Sequence, residues 1–139
     1  MFVLDTNVVS ELRKVRAGKS DPGVARWAER VPSAELFVSA ITIHELEHGV
    51  LLMERSDLDQ GARLRAWLDH SVTAAFKSRV LVVDERVARR AAALHVPDPA
   101  PFRDALIGAT ALERDMTVVT RNVKDFERFD GLDVLNPWT

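Results

Sequence analysis

The chain has 139 residues, 47% hydrophobic and 29% charged, with a formal net charge of −2 and no cysteine. That length fits a single domain, residues 1–139, with a real core; the missing thiols exclude a disulfide framework and thiol chemistry, and the small negative charge excludes a global electrostatic attraction for nucleic acid. Apolar runs such as "VLVV" (80–83) are too short to span a bilayer, and no basic segment leads into a long apolar stretch as in a secretory signal, which fits a cytoplasmic protein.

In chain order, "FVLD" (2–5) is a short apolar run ending in an acid and reads as a buried strand. "LRKVRAGK" (12–19) is the main basic cluster and reads as a solvated loop or helix end. "DPGVARWAERV" (21–31) places Val24, Trp27, Ala28 and Val31 on one helical face, with Pro22 at an N-terminal helix position. "ELFVSAI" (35–41) is a second strand leading into a helix through about residue 54, and residues 58–76 form another helix with Leu64, Trp67, Leu68 and Val72 on one stripe. "RVLVVD" (79–84) is a third strand whose Asp84 can cap the helix "ERVARRAAALH". The proline-rich break "VPDPAP" (96–101) precedes a helix at 102–115. "MTVVT" (116–120) is a fourth strand, "RNVKDFERF" a loop or short helix, and "LDVLNPW" (132–138) a last strand. Strands separated by helices indicate parallel crossovers and an α/β sandwich. In such folds the ligand sits beyond the carboxyl ends of the strands, where strand order reverses.

Several acids fall where that rule looks. Asp5 ends the first strand; it suits a ligand for a hard cation, and equally a local turn with Thr6 and Asn7. Glu45 opens the helix after the second strand; Thr42-x-x-Glu45 also fits a capping box. Asp104 lies in the first helical turn after Pro101, where a negative charge complements the helix dipole. Its neighbours Ala105, Leu106, Ile107, Ala109 and Leu112 are apolar, and an acid entering so buried a helix needs a partner or a metal. Thr120, Asn122 and Asp125 follow the fourth strand. One further pattern competes for Glu45: His44-Glu45-x-x-His48 has the lettering of a zinc peptidase helix, with the histidines as ligands and the glutamate as base. That chemistry needs a third protein ligand, for which Asp69 or His70 would have to serve, and it leaves Asp5 and Asp104 unexplained. Without zinc, the two histidines, one turn apart, are polar surface positions.

Taken together, "LDTNVVSEL" (4–12), an acid opening the helix after strand two, "FRDALIGATAL" (102–112) and "VVTRNVKDF" (118–126) resemble a PIN-domain ribonuclease of the VapC or FitB type, the toxin half of a toxin–antitoxin pair. The resemblance reaches the closing "NPW". It implies a three-layer α/β/α sandwich around a central, mainly parallel sheet, and an acidic site that binds Mg2+ or Mn2+ and hydrolyses RNA to 5′-phosphate and 3′-hydroxyl ends. Position by position, Asp5, Glu45 and Asp104 match the family's first, second and third metal-binding acids. The fourth acidic position falls on Asn122, which brings an amide oxygen and no charge, so Asp125 is the alternative there. Thr6 and Thr120 match positions carrying hydroxyl groups near the site.

Clustered carboxylates repel one another, and a divalent cation favours their ionised form. Such a site would itself repel RNA, so Arg13, Lys14, Arg16, Arg103, Arg121 and Lys124 are the candidates for holding the phosphate backbone. The resemblance also implies a small DNA-binding antitoxin as partner, a toxin homodimer and a larger assembly on operator DNA, with transfer RNA the usual substrate of the family. Val24, Trp27, Val50, Leu51 and Met53 are groove or dimer candidates, with ordinary core as their alternative. A second possibility, suggested by Asn122, is a PIN-fold binding module with weak catalysis.

Overall fold

The computed structural model describes all 139 residues. Its strands are short. β1 (Phe2–Leu4), β2 (Leu36–Ser39), β3 (Val80–Leu81), β4 (Thr117–Val119) and β5 (Val134–Leu135) form one sheet in the order β3-β2-β1-β4-β5. Every pairing is parallel. The helices are α1 (Thr6–Leu12), α2 (Pro22–Arg30), α3 (Ala40–Ser56), α4 (Leu58–Ala66), α5 (Thr73–Ala75), α6 (Glu85–Ala93), α7 (Phe102–Glu113) and α8 (Val123–Phe126).

Successive strand residues face opposite sides of a sheet, and the core divides accordingly. Val3 and Val118 join Leu81, Val87, Ala91, Ile107, Phe126 and Phe129 on one side, beneath α6, α7 and α8. Leu4, Val38 and Val119 join Val8, Trp27, Leu46, Val50, Leu68 and Phe76 on the other, beneath α1 to α5. A parallel sheet covered on both faces needs apolar residues at consecutive positions, and "FVL" and "TVV" supply them. The three-layer α/β/α sandwich expected from the sequence is therefore observed, with a sheet that is wholly parallel.

Most helices begin as expected. Asp21 accepts from the Val24 amide with Pro22 next in line, and Asp84 accepts from the Val87 amide at 2.9 Å. Two expectations are corrected. The capping box at Thr42 and Glu45 does not form, because Ser39 takes the cap: its hydroxyl accepts from the Ile41 amide at 3.0 Å, and the helix starts at Ala40. Thr42 is thus buried within α3. The helix expected over 58–76 is not uniformly α; a wider π-turn spans Trp67–Val72 between α4 and α5. That extra winding keeps Leu68, Val72 and Phe76 all buried against the sheet. Val24, Trp27 and Val50 are core residues, so of the groove candidates only Leu51 is exposed, with Met53 half-buried.

Arg65 ties α4 to α3. Its guanidinium donates to both Glu47 oxygens, at 2.8 and 2.6 Å, and to both Glu54 oxygens, at 3.3 and 3.1 Å. This bidentate geometry, which Lys cannot provide, holds the Glu47 carboxyl below its usual range and the Arg65 guanidinium above.

Candidate active site

The chain fills the sheet outward from β1 through β2 to β3, then returns to place β4 on the other side of β1. Strand order therefore reverses between β1 and β4, and their carboxyl ends open the crevice where such folds bind ligands. Asp5 and Thr120 are the residues immediately beyond those two ends, and Thr120 Oγ1 donates to Asp5 Oδ2 at 2.8 Å. The Asp5 amide donates to the Val119 carbonyl at 2.9 Å, which fixes the chain as it leaves the sheet.

Both local roles weighed for Asp5 are met at once. Its Oδ1 accepts from the Thr6 amide at 2.8 Å, capping α1, while Oδ2 is held by Thr120. Asp5 is buried, and that burial raises its pKa; the hydrogen bonds from Thr120 and Thr6 pull it back, and the charges of Glu45 and Asp125 push it up again. Thr6 reaches the other way, donating to Glu45 Oε1 at 2.9 Å, with Thr42 Oγ1 3.4 Å from its hydroxyl. Glu45 thus faces the crevice from α3, and its second oxygen lies 3.8 Å from the Arg103 guanidinium.

Asp104 stands in the first turn of α7, whose residues Ala105 to Ala111 are all buried. Its carboxyl is pushed from the ordinary 3.8 to about 6. Burial is the largest cause, followed by the charges of Asp5, Asp125 and Glu45, with Arg103 the only cation opposing them. The sequence candidates Asp5, Glu45 and Asp104 are therefore brought together, and Asp125 from α8 acts on two of them. Asn122 is placed differently. It is exposed and leads into α8 without a side-chain cap, and its backbone amide donates to Thr120 Oγ1 at 3.0 Å.

The sequence marks Asn7 only as a turn residue, yet in the structure it bridges the two strand ends. Its Nδ2 donates to Asp5 Oδ2 at 3.3 Å and to Thr120 Oγ1 at 3.5 Å, and its Oδ1 accepts from the Arg121 amide at 3.3 Å. Its place just after the strand-end acid was the available signal, but that placement is shared by every Asx turn.

The donor set consists of hard oxygens carrying more negative charge than Arg103 offsets. This suits Mg2+ or Mn2+, which bind through one or two carboxylates and keep several waters. No three acidic or imidazole side chains stand together as a ready-made metal site, either at the crevice or around His44 and His48, so a cation at the acids would rest on few direct ligands and its own waters. A peptidase zinc needs a third protein ligand besides His44 and His48, with Glu45 free to act as base, and neither condition is met. Glu45 is engaged by Thr6, Asp69 lies 3.5 Å from Arg65, and His70 lines a separate cavity beside α1.

The basic candidates fall into two groups. Arg103, Arg121 and Lys124 adjoin the strand ends, although Arg121 stacks over Trp138 at 5.6 Å. Arg13, Lys14 and Arg16 lie at and beyond the far end of α1. There Arg13 stacks over Trp67 at 5.7 Å and Lys14 pairs with Glu11 at 3.2 Å. No helix is long and apolar enough to cross a membrane.

The family model described as "PIN domain" matches residues 2–132. A VapC ribonuclease, Y4jK, of Sinorhizobium fredii is 35% identical, covering 99% of this chain and 98% of that protein. The toxin FitB of Neisseria gonorrhoeae is 33% identical, covering 99% of both. A solved structure of FitAB bound to an IR36 DNA fragment superimposes with a TM-score of 0.87 at 30% identity, covering 100% of this chain and 96% of that one.

Proposed function

The chain belongs to the PIN-domain family, in its VapC/FitB toxin branch, and from that premise we propose that it is a magnesium-dependent endoribonuclease acting as the toxin of a toxin–antitoxin pair. The observation that carries this reading is the set of carboxylates at the β1–β4 switch point, with Asp104 held up to about 6 by burial and by the charges of Asp5, Asp125 and Glu45.

On this reading Asp5, Glu45 and Asp104 hold the cation, and Asp125 takes the fourth acidic place in preference to Asn122. Bound magnesium would supply a water of lowered pKa and charge neutralisation at the scissile phosphate. The protein's own part is orientation. Thr120 and the Thr6 amide fix the two Asp5 oxygens, and the Thr6 hydroxyl fixes Glu45. Because the Thr120 hydroxyl and the Thr6 amide donate to the Asp5 oxygens, they favour its ionised form, the one needed for a hard cation. Arg103, Arg121 and Lys124 would hold the RNA backbone beside the acids, at the cost of salt sensitivity.

The partner is a small antitoxin that binds operator DNA together with the toxin, and toxin dimers form the larger assembly. The FitAB–DNA complex and the near-complete match to it support this part of the reading. The weak-catalysis alternative rests on Asn122; the charge of Asp125, felt by both Asp5 and Asp104, supports the catalytic reading over it.

Purified protein incubated with total RNA, transfer RNA included, and either magnesium or EDTA tests the proposal when product ends are sequenced. Expected are 5′-phosphate products with magnesium and none with EDTA. Asp5→Ala and Asp104→Ala should each lower cleavage at least about a hundredfold and relieve growth arrest on expression. Cleavage retained by both variants overturns the site assignment.

A further inference from the structure

The histidine pair that failed as a peptidase site has a geometry of its own. His44, Glu47, His48 and Leu51 follow the spacing of one helical stripe on α3, and with Arg103 of α7 they line a shallow cavity of about 300 Å3. The imidazole centroids of His44 and His48 stand 6.4 Å apart, and both residues are exposed. Exposed rings change rotamer freely, so the pair can close on a common ion without moving the helix. Glu47, in the same cavity, is kept ionised by Arg65, and its carboxylate retains lone pairs beyond those that Arg65 uses.

We propose that His44 and His48 form a two-imidazole site for a divalent transition-metal ion, Zn2+ foremost, with Glu47 at its edge and water completing the shell. Imidazole is a ligand for zinc, copper and nickel, whereas magnesium seeks oxygen, so this site and the acidic crevice select different cations. The other histidines do not compete on these terms: His95 Nδ1 accepts from the Ala100 amide at 3.1 Å, and His70 stands alone in the cavity beside α1. The absence of cysteine leaves no thiol to bind zinc elsewhere.

The site also touches the crevice through Arg103, which lines this cavity and lies 3.8 Å from Glu45. A dication at the histidines repels that guanidinium and weakens its pairing with Glu45. On the ribonuclease reading above, Arg103 also holds the RNA backbone, so drawing it away from the crevice slows cleavage.

Calorimetric titration of the whole chain with Zn2+, in saturating magnesium, tests the site independently of any RNA. One zinc equivalent is expected in the wild type and in His70→Ala and His95→Ala. Binding should weaken at least about tenfold in His44→Ala or His48→Ala and vanish in the double variant. With Cu2+ as probe, electron paramagnetic resonance should show two nitrogen ligands in the wild type and none from this pair in the double variant. Zinc binding unchanged in the double variant, lost in His70→Ala or His95→Ala, or displaced by magnesium overturns the proposal. Cleavage insensitive to bound zinc overturns the coupling through Arg103 and leaves the binding result standing.

Discussion

Asp104 is where charge is least compensated. Its pKa lies above the ordinary 3.8, at about 6, so the folded protein holds a proton there that the unfolded chain releases. Stability controlled by this group is intact below pH 4 and falls as pH rises through 6, because the ionised form is the one that burial and Asp5 disfavour. Asp104→Asn should therefore stabilise the metal-free protein at pH 7, by on the order of 1 kcal/mol after discounting for partial exposure, or roughly 3 °C in Tm. The same substitution should be near neutral at pH 4, and cleavage should be lost. Thermal melts at the two pH values check this; a destabilised variant at pH 7 would sink the account of an unbalanced acid. His48→Ala, by contrast, should leave magnesium-dependent cleavage in zinc-free buffer within about twofold of wild type, since the ring is exposed and makes no hydrogen bond to Asp5, Glu45 or Asp104. The residues that could be read in advance were those whose position alone was informative. Asp5 ended a strand, and Asp104 entered an apolar helix. Asn7 was not readable, because its partners Thr120 and Arg121 arrive from the far end of the chain.

Among the elements, α3 and α4 offer two glycines with opposite expectations. Gly49 lies exposed within α3, and a Cβ there would meet nothing within 4 Å. Gly49→Ala should stabilise by up to about 1 kcal/mol through helix propensity alone. Gly61 is buried where α4 crosses α3, and a Cβ would stand 2.5 Å from the Glu54 Cα and 2.8 Å from its amide nitrogen. The gain in propensity is outweighed there, since backbone must move, and Gly61→Ala should destabilise by roughly 1–3 kcal/mol. Urea unfolding of both variants reads the difference directly, and a stabilising Gly61→Ala would mean that the interhelical contact is looser than described. Helix existence is legible from period, from Pro22 and Pro101 at the helix starts and from the Asp84 cap. Strand length was not, because β3 and β5 have two residues each and are bounded by pairing with a neighbour rather than by any local signal. The start of α3 was misplaced for a related reason. Ser39 and Thr42 are both competent caps, and the choice falls to Ser39 because β2 ends there and Thr42 is drawn into the core.

At the scale of the whole molecule, the acids arrive from β1, α3, α7 and α8, so the crevice is closed only if helices from both faces of the sheet are pressed toward one strand end. Mutual repulsion among Asp5, Glu45, Asp104 and Asp125 opposes that closure, and a cation reverses the sign of the interaction. Magnesium should therefore act as a folding ligand. Its stabilisation follows RT ln(1 + [Mg2+]/Kd), about 2.7 kcal/mol at a hundredfold excess over Kd. Binding must displace the proton held by Asp104 and oppose the raised pKa of Asp5, so affinity weakens as pH falls below 6. The expected outcome is a magnesium-induced rise in Tm that is full at pH 8, smaller at pH 5, and absent from the Asp5→Asn/Asp104→Asn variant at either pH. Calcium, larger and less demanding in geometry, should give a similar thermal shift without cleavage. An equal magnesium shift at both pH values, or one that survives in the double variant, would place the ion somewhere other than the β1–β4 crevice.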